Sequence, residues 1–428
     1  MSNMNPVPDD TDNEENPAFT KRISPVNLTE GMYVQQLDRP WTETPFLFQG
    51  FMLKGPEDIE ILRELCEFVF INIERGLDTP HTYQGYIPAA KVNMRDLARV
   101  NRLAHPKQSY EDITSVEDEL QHARASHNKS QTLVQDLFHD ISTKGTLNIP
   151  AVTEAVGEIT DSVLRNPDAF MLLRQLKAKD NYSYSHAIDS CALAASFCRH
   201  LGYPKEELKD VAMGTLLLDI GKLKVPEEIL YKKNYLTKEE FRQMQQHVTI
   251  GVEILTAAGN VSSTVLAMLA THHERLNGKG YPQQLEGEAI PVCGRIAAIV
   301  DCYDAMTSER PHKKAVSALD AIQELYKWRG IDFQEDLVEQ FIQCQGIYPT
   351  GTVVELTSGQ VGIVLSQNRV RRLSPKLLLI LDADKEPYEQ PPILDLMKHH
   401  EAAPGDRLNI AHALDPEDYD FDPGDYYL

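Results

Sequence analysis

Apolar residues recur at helical spacing through most of residues 147–345, which restricts this part of the chain to a helical domain. Ala151–Leu164, His186–Leu201 and Lys238–Ala257 each place their apolar side chains on one face of a helix. Breaks such as Pro226 separate consecutive helical segments. The pattern predicts an all-α domain of about seven helices.

The flanking segments differ in pattern and predict the remaining organisation. Short apolar runs broken by glycine and proline predict a small α+β domain before the helices, and strand-like runs predict a short β extension after them. The expected fold class is therefore multidomain, with a mainly α helical domain, a small α+β N-terminal domain and a short β C-terminal extension. The predicted segments are a disordered acidic N-terminus at 1–20, the α+β domain at 21–80, a helical connector at 81–146, the helical domain at 147–345, the β extension at 346–400 and an acidic tail at 401–428.

Charge and hydropathy exclude several classes of function. The formal net charge of -22 argues against binding to DNA, because phosphate recognition over a large surface needs a basic face. It does not exclude a small nucleotide held by a few local cations. No stretch is long and apolar enough for membrane insertion, and the acidic N-terminus is unlike a signal peptide. A cytoplasmic protein is expected.

Histidines and aspartates scattered through the helical domain indicate a metal site. His272 and His273 are adjacent and precede a glycine-rich loop that ends at Pro282. Asp219 and Asp301 each lie in an apolar helical run, where a carboxylate is costly to bury unless it pairs or meets a metal ion. Any one of these histidines alone would be interpreted as structural. The candidate metal ligands are His186, Asp219, His247, His272, His273 and Asp301.

The order of these motifs resembles that of HD-GYP proteins, the branch of the HD metallophosphohydrolase superfamily associated with hydrolysis of cyclic di-GMP. The resemblance covers about residues 150–345. It rests on the segments Tyr182–His186, Leu217–Lys222, His247–Gly251, His272–Pro282 and Asp301–Pro311. The region around Gly31–Val34 and Leu37–Trp41 also resembles an uncharacterised N-terminal domain often joined to such proteins.

The resemblance implies two divalent metal ions that share Asp219 as a bridging ligand. The other ligands would fall into two sets, with His186 and Asp301 at the first ion and His247, His272 and His273 at the second. Such mixed histidine and aspartate ligands suit iron or manganese better than magnesium. Two ions a few ångströms apart can activate a water and stabilise the leaving oxygen of a phosphodiester.

The resemblance also implies residues that act on the substrate, cyclic di-GMP. Asp219 and Lys222 would be catalytic, with Lys222 near the bridging water or the phosphate. Arg310 and Lys313 would clamp the substrate phosphate, which suits their charge and donor geometry. Tyr281 would shape the site within the GYP loop, through which a signalling protein partner is also expected to bind. A homodimer is a further hypothesis.

Leu218 is the main departure from the family pattern, because it stands where the family has the histidine of its His-Asp doublet. A leucine cannot bind metal, so the first ion would keep only three protein ligands. Tyr182 replaces a glutamate that some members use for a third metal ion, and no third ion is expected. Asp304 is assigned to the helix surface or to the surroundings of the ligands. Two functions stay open: a metal-dependent cyclic di-GMP phosphodiesterase weakened by Leu218, or a catalytically silent relative that senses nucleotide or binds protein.

Overall fold

The computed structural model divides the chain into two compact units. One unit comprises residues 1–86 with 234–242, and the other comprises residues 87–233 with 243–428. The predicted acidic N-terminus up to residue 19 lies outside the residues that the structure describes. The described residues are 20–39, 51–53, 55–72, 108–176, 182–232, 234–308, 315–369, 371–399 and 408–414.

Among its described residues, the first unit contains a four-stranded antiparallel sheet and one complete α-helix, as predicted for a small α+β domain. The strands lie side by side in the order β1-β4-β2-β3. Val34, Leu62 and Ile71 are fully buried in its apolar core, which the sheet and helix share. The elements are β1 (Thr20–Ile23), β2 (Tyr33–Leu37), β3 (Phe51–Met52), α1 (Pro56–Leu65) and β4 (Val69–Asn72).

The second unit is mainly α, which confirms the predicted fold class. Its apolar helix faces meet in one continuous core. Nowhere in the described ranges does a helix have the length and apolarity needed to cross a bilayer. The helices are α2 (Val116–Lys144), α3 (Ile149–Arg165), α4 (Pro167–Leu176), α5 (Tyr182–His200), α6 (Lys205–Leu217), α7 (Glu227–Leu230), α8 (Lys238–Ala258), α9 (Ser263–Thr271), α10 (Val292–Thr307), α11 (Ala318–Trp328) and α12 (Glu335–Gln345). Helix α8 is included here because most of it, from residue 243 onwards, belongs to the second unit.

Helix α2 falls in the segment predicted as a helical connector, and it packs into the core of the second unit. The Ser115 side chain caps its start by accepting the Asp118 backbone N–H, and Gly145 ends it in the left-handed conformation. Val134 and Ile141 face inward and join the same core as the helices that follow. The sequence suggested a connector because this helix also has a long polar face. The boundaries between the predicted domains stay predictions.

The second unit ends in a five-stranded antiparallel sheet with the order β8-β7-β6-β5-β9. Residues 361–365 of its central strand are all buried, as expected for a strand covered on both faces. Its last strand lies within the segment predicted as an acidic tail, so the sheet extends beyond residue 400. The elements are β5 (Val353–Leu356), β6 (Val361–Ser366), β7 (Lys376–Leu381), β8 (Ile393–Asp395), α13 (Leu396–His399) and β9 (Ile410–Ala413).

Candidate metal centre

Five helices of the second unit bring all six candidate metal ligands together. Each ligand lies within a helix or at its C-terminal end, so packing of the helices fixes its position. The ligands form two groups that share Asp219, and within each group the ligand atoms lie within 4.8 Å of one another. One group is His186, Asp219 and Asp301, and the other is Asp219, His247, His272 and His273.

Asp219 lies between the two groups and directs one carboxylate oxygen towards each. Its Oδ2 atom is 3.4 Å from Nε2 of His186, which in turn is 3.4 Å from Oδ1 of Asp301. Its Oδ1 atom is 3.6 Å from Nε2 of His247. The residue follows the last turn of α6 and begins a 3₁₀ turn at Ile220–Lys224. This placement suits a carboxylate that bridges two cations.

Buried ligand atoms without hydrogen-bond partners show that these residues fit a metal ion. Nδ1–H of His247 donates to the Met244 carbonyl over 2.6 Å, and Nδ1–H of His272 donates to the Leu269 carbonyl over 2.9 Å. Each ring therefore presents the lone pair of Nε2 to the centre. Both Nε2 atoms and Oδ1 of Asp219 are buried and have no hydrogen-bond partner. A cation held between them would satisfy all three.

The protonation states also suit metal binding by the second group. Burial lowers the pKa of His247 to about 4, with a further contribution from the Lys222 ammonium. Burial likewise lowers the pKa of His272 and His273, so all three rings are neutral at neutral pH. Burial alone would raise the pKa of Asp219, but Lys222 and the neighbouring histidines hold it well below its usual value. The group therefore combines neutral imidazoles with one carboxylate anion.

The ring of His186 is oriented by a residue from another helix. Its Nδ1–H donates to Oδ2 of Asp304 over 2.5 Å, because a carboxylate can only accept. Asp304 in turn accepts from Arg174 over 2.8 Å and 3.1 Å at Oδ1, and from Ser308 over 3.3 Å at Oδ2. The sequence left open whether Asp304 lies on the helix surface or beside the ligands. It is fully buried and lies beside the ligands. Sequence reasoning missed Arg174, although an arginine in the apolar segment of α4 is a signal of buried pairing.

The structure places two of the predicted substrate-acting residues at the same centre. Nζ of Lys222 is 2.6 Å from Oδ2 of Asp219. The ring of Tyr281 stacks on that of His273, with centroids 4.5 Å apart and an interplanar angle of 25°. The two residues predicted to clamp the substrate phosphate lie outside the described residues: Arg310 and Lys313.

Leu218 is buried, with 1% of its surface exposed, and belongs to the apolar core of the second unit. The first group consequently has three ligands, whereas the second has four. A metal ion at the first group would therefore have fewer protein ligands than one at the second group, whose side chains match the family pattern. The departure noted in the sequence therefore affects one half of the centre.

Glu274 organises the loop that follows the adjacent histidines, a role that sequence reasoning did not identify. The carboxylate is buried and accepts backbone N–H groups from Gln283 over 2.7 Å and from Leu285 over 2.9 Å. Burial raises its pKa to about 7, although these hydrogen bonds oppose the shift. The loop is thereby tied to the residue that directly follows His273. The signal in the sequence was its position directly after the adjacent histidines, His272 and His273.

Gly221 is expected to be essential because the turn after Asp219 approaches helix α8 very closely. A Cβ atom at this position would collide with the backbone carbonyl of His247. We expect Gly221→Ala to destabilise the protein by about 3 kcal/mol or more and to weaken metal binding, since backbone cannot move aside cheaply. Urea unfolding measures the first effect, and metal titration measures the second.

Gly157→Ala is a matched control for this prediction, because Gly157 lies within helix α3 and has nothing within 4 Å of its Cβ position. It is expected to be neutral or to stabilise by about 0.5–1 kcal/mol. Equal effects of the two substitutions would contradict the proposed close packing at Gly221.

The chain is similar to known protein families and to characterised relatives over most of its length. The family model for the HD domain matches residues 171–334, and that for a domain of unknown function, DUF3391, matches residues 20–152. A cyclic di-GMP phosphodiesterase of Pseudomonas aeruginosa is 35% identical over 373 residues, which cover 86% of this chain and 87% of the relative. The cyclic di-GMP phosphodiesterase response regulator RpfG of Xanthomonas campestris is 35% identical over 40% of this chain and 46% of its own length. A 3′3′-cGAMP-specific phosphodiesterase of Vibrio cholerae is 33% identical over 41% of this chain and 34% of its own length.

Proposed function

This chain belongs to the HD-GYP family of HD-domain proteins, and we propose that it is a metal-dependent phosphodiesterase that hydrolyses cyclic di-GMP. The substrate is proposed from the relative that matches nearly the whole chain. The observation that carries the proposal is the pair of ligand groups that share the Asp219 carboxylate. This arrangement suits a two-metal phosphodiesterase.

We propose two divalent ions, iron or manganese, as the cofactors. His186, Asp219 and Asp301 would hold one ion, and the second group would hold the other. Mixed nitrogen and oxygen donors favour such transition metals over magnesium. When bound, the ions would supply Lewis-acid polarisation of the phosphoryl oxygen and lower the pKa of an attacking water.

The side chains around the proposed cofactors would divide the remaining work. The Lys222 ammonium lies against Asp219 and would offset the negative charge that develops on the phosphoryl group. The Tyr281 ring, stacked on His273, would form an apolar wall against which the substrate packs. Binding of the substrate phosphate by Arg310 and Lys313 stays a prediction, as do the cytoplasmic location, the homodimer and the partner at the GYP loop.

Turnover of cyclic di-GMP by the full chain tests this proposal. Protein stripped with a chelator would be reloaded anaerobically with Fe²⁺ or Mn²⁺ and incubated with cyclic di-GMP or with 3′3′-cGAMP, and products would be separated by chromatography. We expect hydrolysis of cyclic di-GMP that needs the added metal and is faster than hydrolysis of 3′3′-cGAMP. Mg²⁺ should support less turnover, because it suits this donor set poorly.

Leu218 favours a second candidate function, that of a silent relative that binds nucleotide or a protein partner. Two bound ions and bound cyclic di-GMP without any hydrolysis would establish it and overturn the phosphodiesterase. Faster hydrolysis of 3′3′-cGAMP would overturn the proposed substrate only.

A further inference from the structure

We propose that Arg174 and Asp304 form a positioning pair that holds His186 towards the first metal ion. This inference rests on the proposed function, because it assumes that His186 binds metal. Neither residue is proposed to touch the metal or the substrate. Their role would be to fix one ring in the orientation that metal binding needs.

His186 depends on a distant residue for its orientation, unlike two other histidines of the centre. His247 and His272 each donate Nδ1–H to a carbonyl three residues earlier in the chain. Any helix supplies such an acceptor, so those two rings are fixed locally. His186 donates instead to Asp304, which lies 118 residues away on α10. Loss of the Asp304 carboxylate would therefore remove the acceptor of the Nδ1 hydrogen bond.

Asp304 is held in place by the guanidinium of Arg174. Two nitrogens of that group donate to Oδ1, and Nη2 also contacts the Thr307 hydroxyl. The side chains of Arg174 and Asp304 are 6% and 0% exposed, so water screens their interaction little. Oδ2 is left directed at His186. The pair thus links α4, α5 and α10 at the metal centre.

This geometry determines which nitrogen of His186 is available. Because Nδ1 is committed to Asp304, Nε2 is the nitrogen that faces the space between Asp219 and Asp301, with 3.4 Å to an oxygen of each, and a metal ion bound there would take the place of a proton on Nε2. Carboxylates that orient a metal-binding histidine in this way commonly contribute about 10- to 100-fold to metal affinity. The contribution matters more here, because only three protein ligands form the first group.

The competing interpretation is that Arg174 and Asp304 are merely a buried ion pair that stabilises the helices. A matched control separates the two interpretations. Asp168 is also a buried carboxylate on a helix of this unit, and it accepts from the guanidinium of Arg369 over 3.0 Å and the Gln367 backbone N–H over 3.0 Å. Its partners lie in the C-terminal segment and include none of the candidate metal ligands.

Metal binding by the full chain tests the proposal. Metal-free wild type, Asp304→Asn and Asp168→Asn would be titrated with Mn²⁺, with stoichiometry from elemental analysis and affinity from calorimetry. Wild type is expected to bind two ions with different affinities. In Asp304→Asn one carbonyl oxygen cannot serve both Arg174 and His186, so we expect the weaker site to lose about 10- to 100-fold in affinity while the tighter site is unchanged. Asp168→Asn should lower the unfolding temperature but leave both affinities unchanged.

Arg174→Lys provides a second, more conservative variant if Asp304→Asn fails to fold. It keeps the positive charge but loses the fork of two donors, and we expect a smaller decrease in affinity at the weaker site. A folded variant of either kind with two wild-type affinities would overturn the positioning role, as would an equal decrease in Asp168→Asn. A wild type that binds no metal would instead contradict the proposed function, so the two failures are distinguishable.

Discussion

We expect the Asp219→Ala variant to lose both metal ions and to hydrolyse cyclic di-GMP on the order of a thousand times more slowly than wild type. Asp219 belongs to both ligand groups, so its removal leaves the first group with two ligands and takes the only carboxylate from the second. A catalytic metal supplies several kcal/mol of transition-state stabilisation, and about 1.4 kcal/mol corresponds to a tenfold change in rate. Elemental analysis and initial rates with added Mn²⁺ measure the two effects.

Two further variants show whether the effect of Asp219→Ala belongs to the bridging position. Asp140 is a partly exposed carboxylate paired with Lys144 on α2, and Asp140→Ala should leave metal content and rate unchanged. His272→Ala removes a ligand from the second group alone and should affect one ion more than the other. Near-normal turnover by Asp219→Ala, or equal losses in all three variants, would exclude a bridging role.

The sequence sufficed to predict the helical domain and the set of candidate ligands, because both depend on local patterns. Helical periodicity is a property of consecutive residues, and α5 and α8 lie close to their predicted bounds. The aspartates were predicted to need a partner because each lies in an apolar run. Asp219 and Asp301 do lie within one ligand group, as their shared surroundings suggested.

Other features of the site depend on tertiary packing and could not be predicted in the same way. Arg174 meets Asp304 across 130 residues, and no local pattern connects these two positions. The close approach of Gly221 to the backbone of His247 likewise requires the relative placement of a turn and a helix. The buried face of α2 was overlooked because its polar face dominates the composition of that segment.

We expect Leu218→His to strengthen metal binding at the first group and to increase turnover at least tenfold. The substitution would supply a fourth protein ligand next to Asp219, where three are present now. Without metal the new imidazole is a polar group in an apolar core, which should destabilise the protein by about 1–3 kcal/mol. Metal would reverse that loss, because a bound ligand stabilises the folded state alone. Thermal unfolding with and without Mn²⁺, together with initial rates, tests each part.

Leu217→His is the matched control, because the neighbouring leucine is equally buried in the same core. It should lower the unfolding temperature by a similar amount in the absence of metal, and Mn²⁺ should not restore the loss. If Leu218→His behaves like this control, the position does not face the first ion and the three remaining ligands are the complete protein set. If wild type is inactive and Leu218→His is active, the single leucine accounts for silencing. We expect both proteins to be active and Leu218→His to be faster than wild type, because the first group of wild type has three ligands.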